Sequence, residues 1–155
     1  VLAILQRTGA NPQQLKLELT ESLLVDKVDN VIAKMSELKA QGVGFSLDDF
    51  GTGYSSLAYL RRLPLDQLKI DRSFVSGAPT RQHVRNILAS AIDMGRRLSI
   101  ATVAEGVETL DELHLLKTLG CKQAQGFLLA RPMPGGDVVR WVEQELEITL
   151  RLCQT

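Results

Sequence analysis

The feature that most constrains the fold of this 155-residue chain is a regular alternation of strand-like runs and helical patterns. Each short apolar or alternating run is followed by a segment in which apolar residues recur at helical spacing. This alternation is typical of βαβ units, which build parallel sheets. Five strands are predicted, over residues 15–19, 43–47, 67–71, 99–104 and 123–127.

The predicted helices fill the segments around these strands. The chain opens in a helix that ends near Gly9, and glycines at 42 and 120 close two later helices. The apolar residues expected to face the core include Val84, Ile87 and Leu88, then Leu110, Leu113 and Leu116, and finally Val138, Trp141 and Val142. The helices that follow strands are predicted over residues 28–38, 56–62, 80–98, 110–119 and 137–150.

Composition excludes several classes of protein. Eighteen basic residues balance eighteen acidic ones, so net charge gives no long-range attraction to DNA or to an acidic membrane. Two cysteines, Cys121 and Cys153, are too few for a disulfide framework and indicate a reducing, cytoplasmic setting. No apolar run approaches the ~20 residues of a membrane span, and the first residues do not form a signal peptide.

Polar residues at the strand ends distinguish between two α/β architectures. Five βα units fit either an open doubly wound sheet or part of a (β/α)8 TIM-type barrel. A barrel gathers the carboxyl ends of its strands around one mouth, whereas an open sheet spreads them along a line. The sequence therefore favours an incomplete barrel of about five βα units, with six polar residues at its mouth: Glu18, Asp48, Asp49, Lys69, Glu105 and Gln125.

The carboxylates in this group suggest a site for hard cations. Glu18, Asp48 and Asp49 offer oxygen ligands of the kind that Mg²⁺ or Mn²⁺ prefers over zinc. Two adjacent aspartates are able to flank a pair of metals on a phosphate diester, although aspartates also serve as ordinary turn residues. His83 and His114 fall on predicted helices and are not expected to be ligands.

Two further polar positions allow more than one interpretation. Lys69 points either into the barrel mouth, where it would stabilise phosphate charge, or out to solvent. Glu105 is a candidate base or metal ligand, or a simple loop residue. The glycines of residues 51–56 predict a loop that closes over the site; a tight structural turn is the alternative.

Five motifs in this chain together resemble the EAL-domain phosphodiesterases, which act on cyclic di-GMP. They occur in the order and spacing of that family and cover essentially the whole chain. The motifs are Leu-Glu-Leu-Thr-Glu-Ser at 17–22, Asp-Asp-Phe-Gly-Thr-Gly-Tyr-Ser-Ser-Leu at 48–57, Leu-Lys-Ile-Asp at 68–71, Ala-Glu-Gly-Val-Glu at 104–108 and Gln-Gly-Phe at 125–127.

The resemblance implies a fold, a reaction and a set of residue roles. It implies hydrolysis of cyclic di-GMP to linear pGpG by two metal ions, Mg²⁺ or Mn²⁺, in a TIM-type barrel. Lys69, Glu105 and Gln125 would be catalytic, and Glu21 would anchor the loop after Asp49. The implied metal ligands are Glu18, Asp48 and Asp49.

The resemblance covers only the later strands of the family's barrel. The Glu-Ala-Leu tripeptide and an asparagine ligand on the following strand do not occur, so residues 1–155 are expected to form roughly strands four to eight of one domain. The chain by itself is expected to be inactive and to self-associate through open sheet edges and exposed core surface. Sensory or GGDEF-type domains are expected upstream, where a membrane anchor is also possible.

Two other functions remain open at this point. The first is a non-catalytic receptor module that binds cyclic di-GMP and signals through the loop after Asp49. The second is a different barrel enzyme that acts on a phosphate or carboxylic acid substrate. The first upstream ligand, glutamate or not, would discriminate the receptor from the enzyme.

Overall fold

The computed structural model describes residues 1–20, 28–53 and 60–144, and in this part of the chain five parallel strands form one sheet. The strands pair in the order in which they follow along the chain. Their bounds are β1 Lys16–Thr20, β2 Gly44–Phe50, β3 Gln67–Ile70, β4 Ala101–Ala104 and β5 Gln123–Ala124.

Helices connect these strands and also occupy both ends of the described chain. A 3-10 turn, Pro12–Gln14, leads into β1. No helix in the described ranges is long and apolar enough to cross a membrane. The α-helices are α1 Leu2–Thr8, α2 Val28–Ala40, α3 Arg72–Val75, α4 Gln82–Arg97, α5 Leu110–Thr118 and α6 Gly135–Gln144.

The sheet has one apolar face, and the connecting helices pack against it. Leu47, Leu68 and Ile70 are fully buried on this face. Met35 of α2 belongs to one core cluster, and Leu88 of α4 belongs to a second one beside it. Because both clusters lie on the same side of the sheet, the helices α2, α4 and α5 form a single outer layer.

The opposite, inner face carries polar side chains from alternate strands. Lys16 Nζ donates to Gln67 Oε1 at 3.0 Å, and Gln67 Nε2 donates to Gln123 Oε1 at 2.8 Å. These residues lie on β1, β3 and β5, which are not neighbours. In a barrel, alternate strands contribute to the same interior layer. The contacts therefore indicate that the sheet curves around its inner face.

Strand order and curvature together settle the choice of architecture. A doubly wound sheet reverses its strand order and places helices on both faces, whereas this sheet keeps sequential order with one helical layer. The prediction of an incomplete TIM-type barrel is thus confirmed. Within the described ranges, β1 and β5 each pair on one side only.

Some strand bounds differ from the predicted ones. Strand β2 continues to Phe50 and so includes both aspartates, with a shift in register between Leu47 and Phe50. Strand β5 ends at Ala124, so Gln125 follows the strand instead of lying within it. Most of the helix predicted over residues 56–62 falls outside the described residues.

Among the apolar positions predicted to face the core, Val84, Leu88, Leu113 and Leu116 are buried, whereas Ile87, Leu110, Val138 and Val142 are more exposed than predicted. Ile87 is 48% exposed because α4 buries Val84 and Leu88 on either side of it. Leu110 is 41% exposed because it is the first residue of α5, directly after the N-cap. On α6, Val138 and Val142 are 42% and 44% exposed, so the described part of the chain leaves that apolar face uncovered.

Asp66, just before β3, ties the amino-terminal ends of two strands to a helix. Its Oδ2 accepts a hydrogen bond from the backbone N–H of Phe45 at 2.9 Å, and Oδ1 pairs with Lys39 of α2. Partial burial by itself raises the pKa of Asp66, but the contacts with Lys39 and Phe45 outweigh it and hold the pKa below its usual value.

We expect Asp66→Ala to lower the free energy of unfolding by about 1 kcal/mol at pH 7, the scale of one hydrogen bond. Asp66→Asn keeps an acceptor for Phe45 and should lose less. Because folding depresses this pKa, the stabilisation by the carboxylate is present above the unfolded-state pKa of about 4 and disappears as pH falls through the folded value. Denaturant unfolding at pH 7 and pH 3 measures both effects. Equal stability of wild type and Asp66→Ala at pH 7 would contradict the assignment.

Candidate metal-binding active site

Lys69 lies at the centre of the polar cluster on the inner face of the sheet. Alternation along β3 buries Leu68 and Ile70 on the outer face and turns the lysine inward. Its side chain is only 11% exposed. The ammonium lies 2.9 Å from Asp48 Oδ1, 2.9 Å from Glu105 Oε1 and 3.2 Å from Glu18 Oε1. Of the two orientations considered from sequence, the structure therefore has the one toward the barrel mouth.

The surroundings of Lys69 keep it charged. Burial alone would lower its pKa, because an ammonium loses hydration inside the protein. Hydrogen bonds to Asp48, Glu105 and Glu18 outweigh that effect and raise the pKa well above its usual value. Lys69 is thus a fixed positive charge at the barrel mouth and not a proton donor near neutral pH.

Glu105 follows β4 and is held beside the lysine by its own backbone. Its N–H donates to the carbonyl of Ile70 at 3.0 Å, which extends the pairing of β3 with β4 past the end of the strand. Burial raises the pKa of Glu105 above its usual value, although contact with Lys69 opposes the rise. A carboxylate with a raised pKa accepts a proton more readily than an exposed glutamate does.

Asp48, Asp49 and Glu105 bring carboxylate oxygens together at a distance suited to a cation. One oxygen from each lies within 4.8 Å of the others. Asp48 Oδ1 is buried and, apart from its ion pair with Lys69, accepts no well-directed hydrogen bond from the described residues. Three carboxylates contact the one ammonium, and Asp49 adds a fourth acidic group beside them, so the cluster retains an excess of negative charge. An oxygen-only site with unneutralised charge fits Mg²⁺ or Mn²⁺.

A backbone irregularity lets two consecutive aspartates contribute to this one site. Adjacent residues of a regular strand point to opposite faces. Here the register of β2 against β3 shifts between Leu47 and Phe50, and Asp49 adopts a left-handed conformation with φ of 53°. The bulge turns the Asp49 carboxylate to the same side as Asp48. A non-glycine residue with positive φ is uncommon and often marks a functional site.

Glu18 and Gln125 are less closely joined to the cluster. Glu18, whose side chain is 51% exposed, reaches it through Lys69 and is not among the three clustered carboxylates. Gln125 is placed beside Glu105 by its backbone, since its N–H donates to Ala104 and its carbonyl accepts from Val107. Its exposed side chain makes no hydrogen bond to the described residues. Glu21 lies outside those residues.

The two histidines lie on helix surfaces, as the sequence predicted. His83 and His114 are exposed on α4 and α5.

The sequence analysis missed another acidic residue, Glu112. This residue is buried, and its carboxylate accepts hydrogen bonds from the N–H groups of Glu108 and Thr109, which fixes the loop that follows Glu105. The spacing of Thr109 and Glu112 is a capping box, a signal that the sequence analysis could have used.

Two curated proteins with similar sequences are named as cyclic di-GMP phosphodiesterases. NbdA of Pseudomonas aeruginosa, named a cyclic di-GMP phosphodiesterase, is 47% identical over 130 residues, or 84% of this chain and 17% of NbdA. MucR of the same organism, named a bifunctional diguanylate cyclase/cyclic di-GMP phosphodiesterase, is also 47% identical over 130 residues, or 84% of this chain and 19% of MucR. The chain thus spans less than a fifth of the length of these two curated relatives.

Solved structures share the same architecture. The MucR phosphodiesterase in complex with c-di-GMP superposes with a TM-score of 0.84 at 45% identity, over 89% of this chain and 56% of that one. BlrP1 of Klebsiella pneumoniae, in a complex with manganese and c-di-GMP, superposes with a TM-score of 0.77 at 35% identity. That match covers 84% of this chain and 33% of BlrP1.

The model of the EAL domain family matches residues 1–132, a range that contains every residue of the Lys69 cluster. Sequence similarity, barrel architecture and site geometry therefore agree, and the chain belongs to the EAL domain family.

Proposed function

We propose that residues 1–155 form strands four to eight of a phosphodiesterase domain that hydrolyses cyclic di-GMP to linear pGpG. The observation that carries this proposal is the Lys69 ammonium held within 2.9 Å of both Asp48 and Glu105. Fixed positive charge beside clustered carboxylates suits a reaction in which phosphate charge must be stabilised and a proton removed from water. The names of NbdA and MucR support cyclic di-GMP as the substrate.

The proposed ligands of two divalent cations are Glu18, Asp48 and Asp49, and Glu105 lies close enough to assist them. When bound, Mg²⁺ or Mn²⁺ would neutralise phosphate charge and make water more acidic. Calcium and manganese complexes of BlrP1 support a divalent metal. Together with upstream ligands, these residues would complete the site.

The roles of the remaining side chains follow from charge and position. Lys69 stabilises the negative charge that grows on the phosphoryl oxygens as water attacks. Glu105, with its raised pKa, accepts the proton of that water. The water oxygen bonds to phosphorus, one phosphorus–oxygen ester bond breaks, and the released oxygen takes a proton from solvent, to which Glu105 returns the proton that it accepted. Gln125, on the neighbouring strand end, orients water or the guanine-phosphate end of the substrate.

Cellular context is proposed from the same relatives. MucR is named as a diguanylate cyclase as well as a phosphodiesterase, which supports a GGDEF-type domain upstream of this one. Sensory domains are proposed upstream as well. The two cysteines, too few for a disulfide framework, support a place in the cytoplasm, including in proteins anchored to a membrane elsewhere. The open edges of β1 and β5 support self-association, with pairing between chains at these edges.

Hydrolysis of cyclic di-GMP tests the proposed function directly. An eight-stranded barrel takes about 250 residues, so the assay uses the domain extended upstream by roughly a hundred residues. With Mg²⁺ or Mn²⁺ we expect release of pGpG, and we expect Asp48→Asn to lower kcat by at least about a hundredfold, because it removes a metal-binding oxygen. Tight binding without turnover would instead support the receptor function. If the extended domain neither binds nor hydrolyses cyclic di-GMP, both the phosphodiesterase and the receptor function are refuted.

Substitution of the lysine separates charge stabilisation from metal binding. In the same extended domain, we expect Lys69→Met to lower kcat by about 10²- to 10³-fold, because the transition state loses a fixed positive charge. Mn²⁺ affinity, measured by calorimetry without substrate, should not weaken, since a competing cation has been removed. Asp48→Asn serves as the control, in which both kcat and Mn²⁺ affinity should fall. Weaker Mn²⁺ binding by Lys69→Met would contradict the role given to the lysine.

The 155-residue chain alone should hydrolyse cyclic di-GMP at no detectable rate, because an incomplete ligand set neither binds metals tightly nor positions them. The same assay with pure chain at high Mn²⁺ concentration measures this. If the 155-residue chain does hydrolyse cyclic di-GMP, and Asp48→Asn abolishes this activity, the prediction is wrong. The variant is needed because it excludes a contaminating enzyme as the source of the activity.

A further inference from the structure

The short helix α3, which follows the Lys69 strand directly, contacts the loop that carries Asp49. A β-carbon on Gly51 would lie 2.6 Å from Cε2 and 2.8 Å from Cζ of Phe74, so only glycine fits against this ring. Gly51 also has φ of 99°, a conformation that other residues rarely adopt. The phenyl ring therefore fixes the path of the chain two residues after Asp49.

The same helix contacts the loop that carries Glu105. A β-carbon on Gly106 would lie 2.5 to 2.8 Å from the Cβ, Cγ and Cδ atoms of Arg72, and Gly106 also has a positive φ, of 66°. The guanidinium of Arg72 extends past this glycine to Glu108, where Nη2 and Oε2 are 3.1 Å apart. Arg72 thus packs along the loop with its stem and pairs with the loop's far side.

The helix itself is fixed to the strand and to the core. The Asp71 side chain accepts a hydrogen bond from the N–H of Ser73 at 3.0 Å and so caps the helix. Val75 is fully buried in the core cluster formed with α4 and α5, and Phe74 packs against that cluster. Rotation of α3 relative to Lys69 would therefore require the core to open.

We propose that α3 sets the spacing of the metal-binding site, with Phe74 and Arg72 as positioning residues for Asp49 and Glu105. Three site elements meet at this helix: the strand that carries Lys69, the bulged end of β2 and the loop after β4. Asp49 lies in a turn closed on itself, because Thr52 donates both its N–H and its hydroxyl to the Asp49 carbonyl. Support of this turn by Phe74 holds the Asp49 backbone in its left-handed conformation and thereby fixes the direction of the carboxylate. This proposal rests on the proposed metal-dependent function.

The test compares Phe74→Ala and Phe74→Leu with wild type in the extended domain. We expect Phe74→Ala to weaken Mn²⁺ binding by about tenfold or more, the scale found when residues that orient metal ligands are removed. Hydrogen exchange without metal should show faster exchange of the Thr52 amide, because the turn behind Asp49 loses its support. Phe74→Leu fills part of the space, so it should give a smaller effect and remain folded if the alanine variant does not.

Leu119→Ala is the matched control. Leu119 packs against the same core cluster as Phe74, but it lies at the far end of α5, away from both loops. We expect this variant to lower the melting temperature and leave Mn²⁺ affinity and Thr52 exchange unchanged. If both Phe74 variants match Leu119→Ala in these two measurements, Phe74 contributes only to the core and the proposal is wrong.

Arg72 is tested by separating its stem from its charge. Arg72→Met keeps the apolar stem beside Gly106 and removes the pair with Glu108, whereas Arg72→Ala removes both. We expect Mn²⁺ affinity and kcat to fall in Arg72→Ala and to be largely retained in Arg72→Met. If Arg72→Ala and Arg72→Met have the same Mn²⁺ affinity and kcat, the apolar stem of Arg72 does not position Glu105, and this part of the proposal is wrong. Because Mn²⁺ binding is measured without substrate, this outcome is distinct from a failure of the domain to hydrolyse cyclic di-GMP.

Discussion

A nearly buried ammonium is the constraint on which the rest of the site depends. Lys69 is accommodated inside the sheet because carboxylates from β1, β2 and the end of β4 surround it. Asp48 and Glu105 are in turn held in a partly buried, negatively charged environment that would be unfavourable without the lysine. The charges do not cancel, however, since the acidic groups outnumber the ammonium. The interaction that makes the cluster stable in the absence of metal therefore also leaves it attractive to divalent cations.

The two faces of the sheet divide the work of stability and function. On the outer face, apolar side chains such as Leu47 and Ile70 pack against the helices and supply most of the buried apolar area. The inner face carries the polar layer of Lys16, Gln67 and Gln123 and, closer to the carboxyl ends of the strands, the Lys69 cluster. A substitution on the outer face is thus expected to affect folding, whereas a substitution in the Lys69 cluster on the inner face is expected to affect the chemistry.

Much of this arrangement could be predicted from the sequence. The alternation of strands and helices gave the parallel sheet, and polar residues such as Asp48 and Glu105 at strand ends indicated where a site would form. These signals are local, because each depends on the spacing of residues along one element. The expectation that an incomplete barrel would expose apolar core surface stays a prediction. In the described residues the inner face of the sheet is mainly polar, and exposed apolar residues lie on the helices at either end, such as Ile4 on α1 and Val139 on α6.

What the sequence could not supply was geometry that arises between elements. Two adjacent aspartates should point apart along a strand, and only the bulge at Asp49 brings them to one side. Gln125 was placed within a strand, whereas β5 ends before it. The contacts of Phe74 with Gly51 and of Arg72 with Gly106 join separate loops, and the periodicity of a single segment contains no trace of them.

The polar inner face also bears on how such a barrel assembles. Because the lining of the concave side is hydrophilic, water is able to remain there while the helices condense onto the other side of the sheet. Each strand–helix unit then gains its apolar burial from its immediate sequence neighbours, and closure of the ring is not needed for that gain. Local contacts of this kind favour growth of the sheet by successive addition along the chain, before the ring is complete.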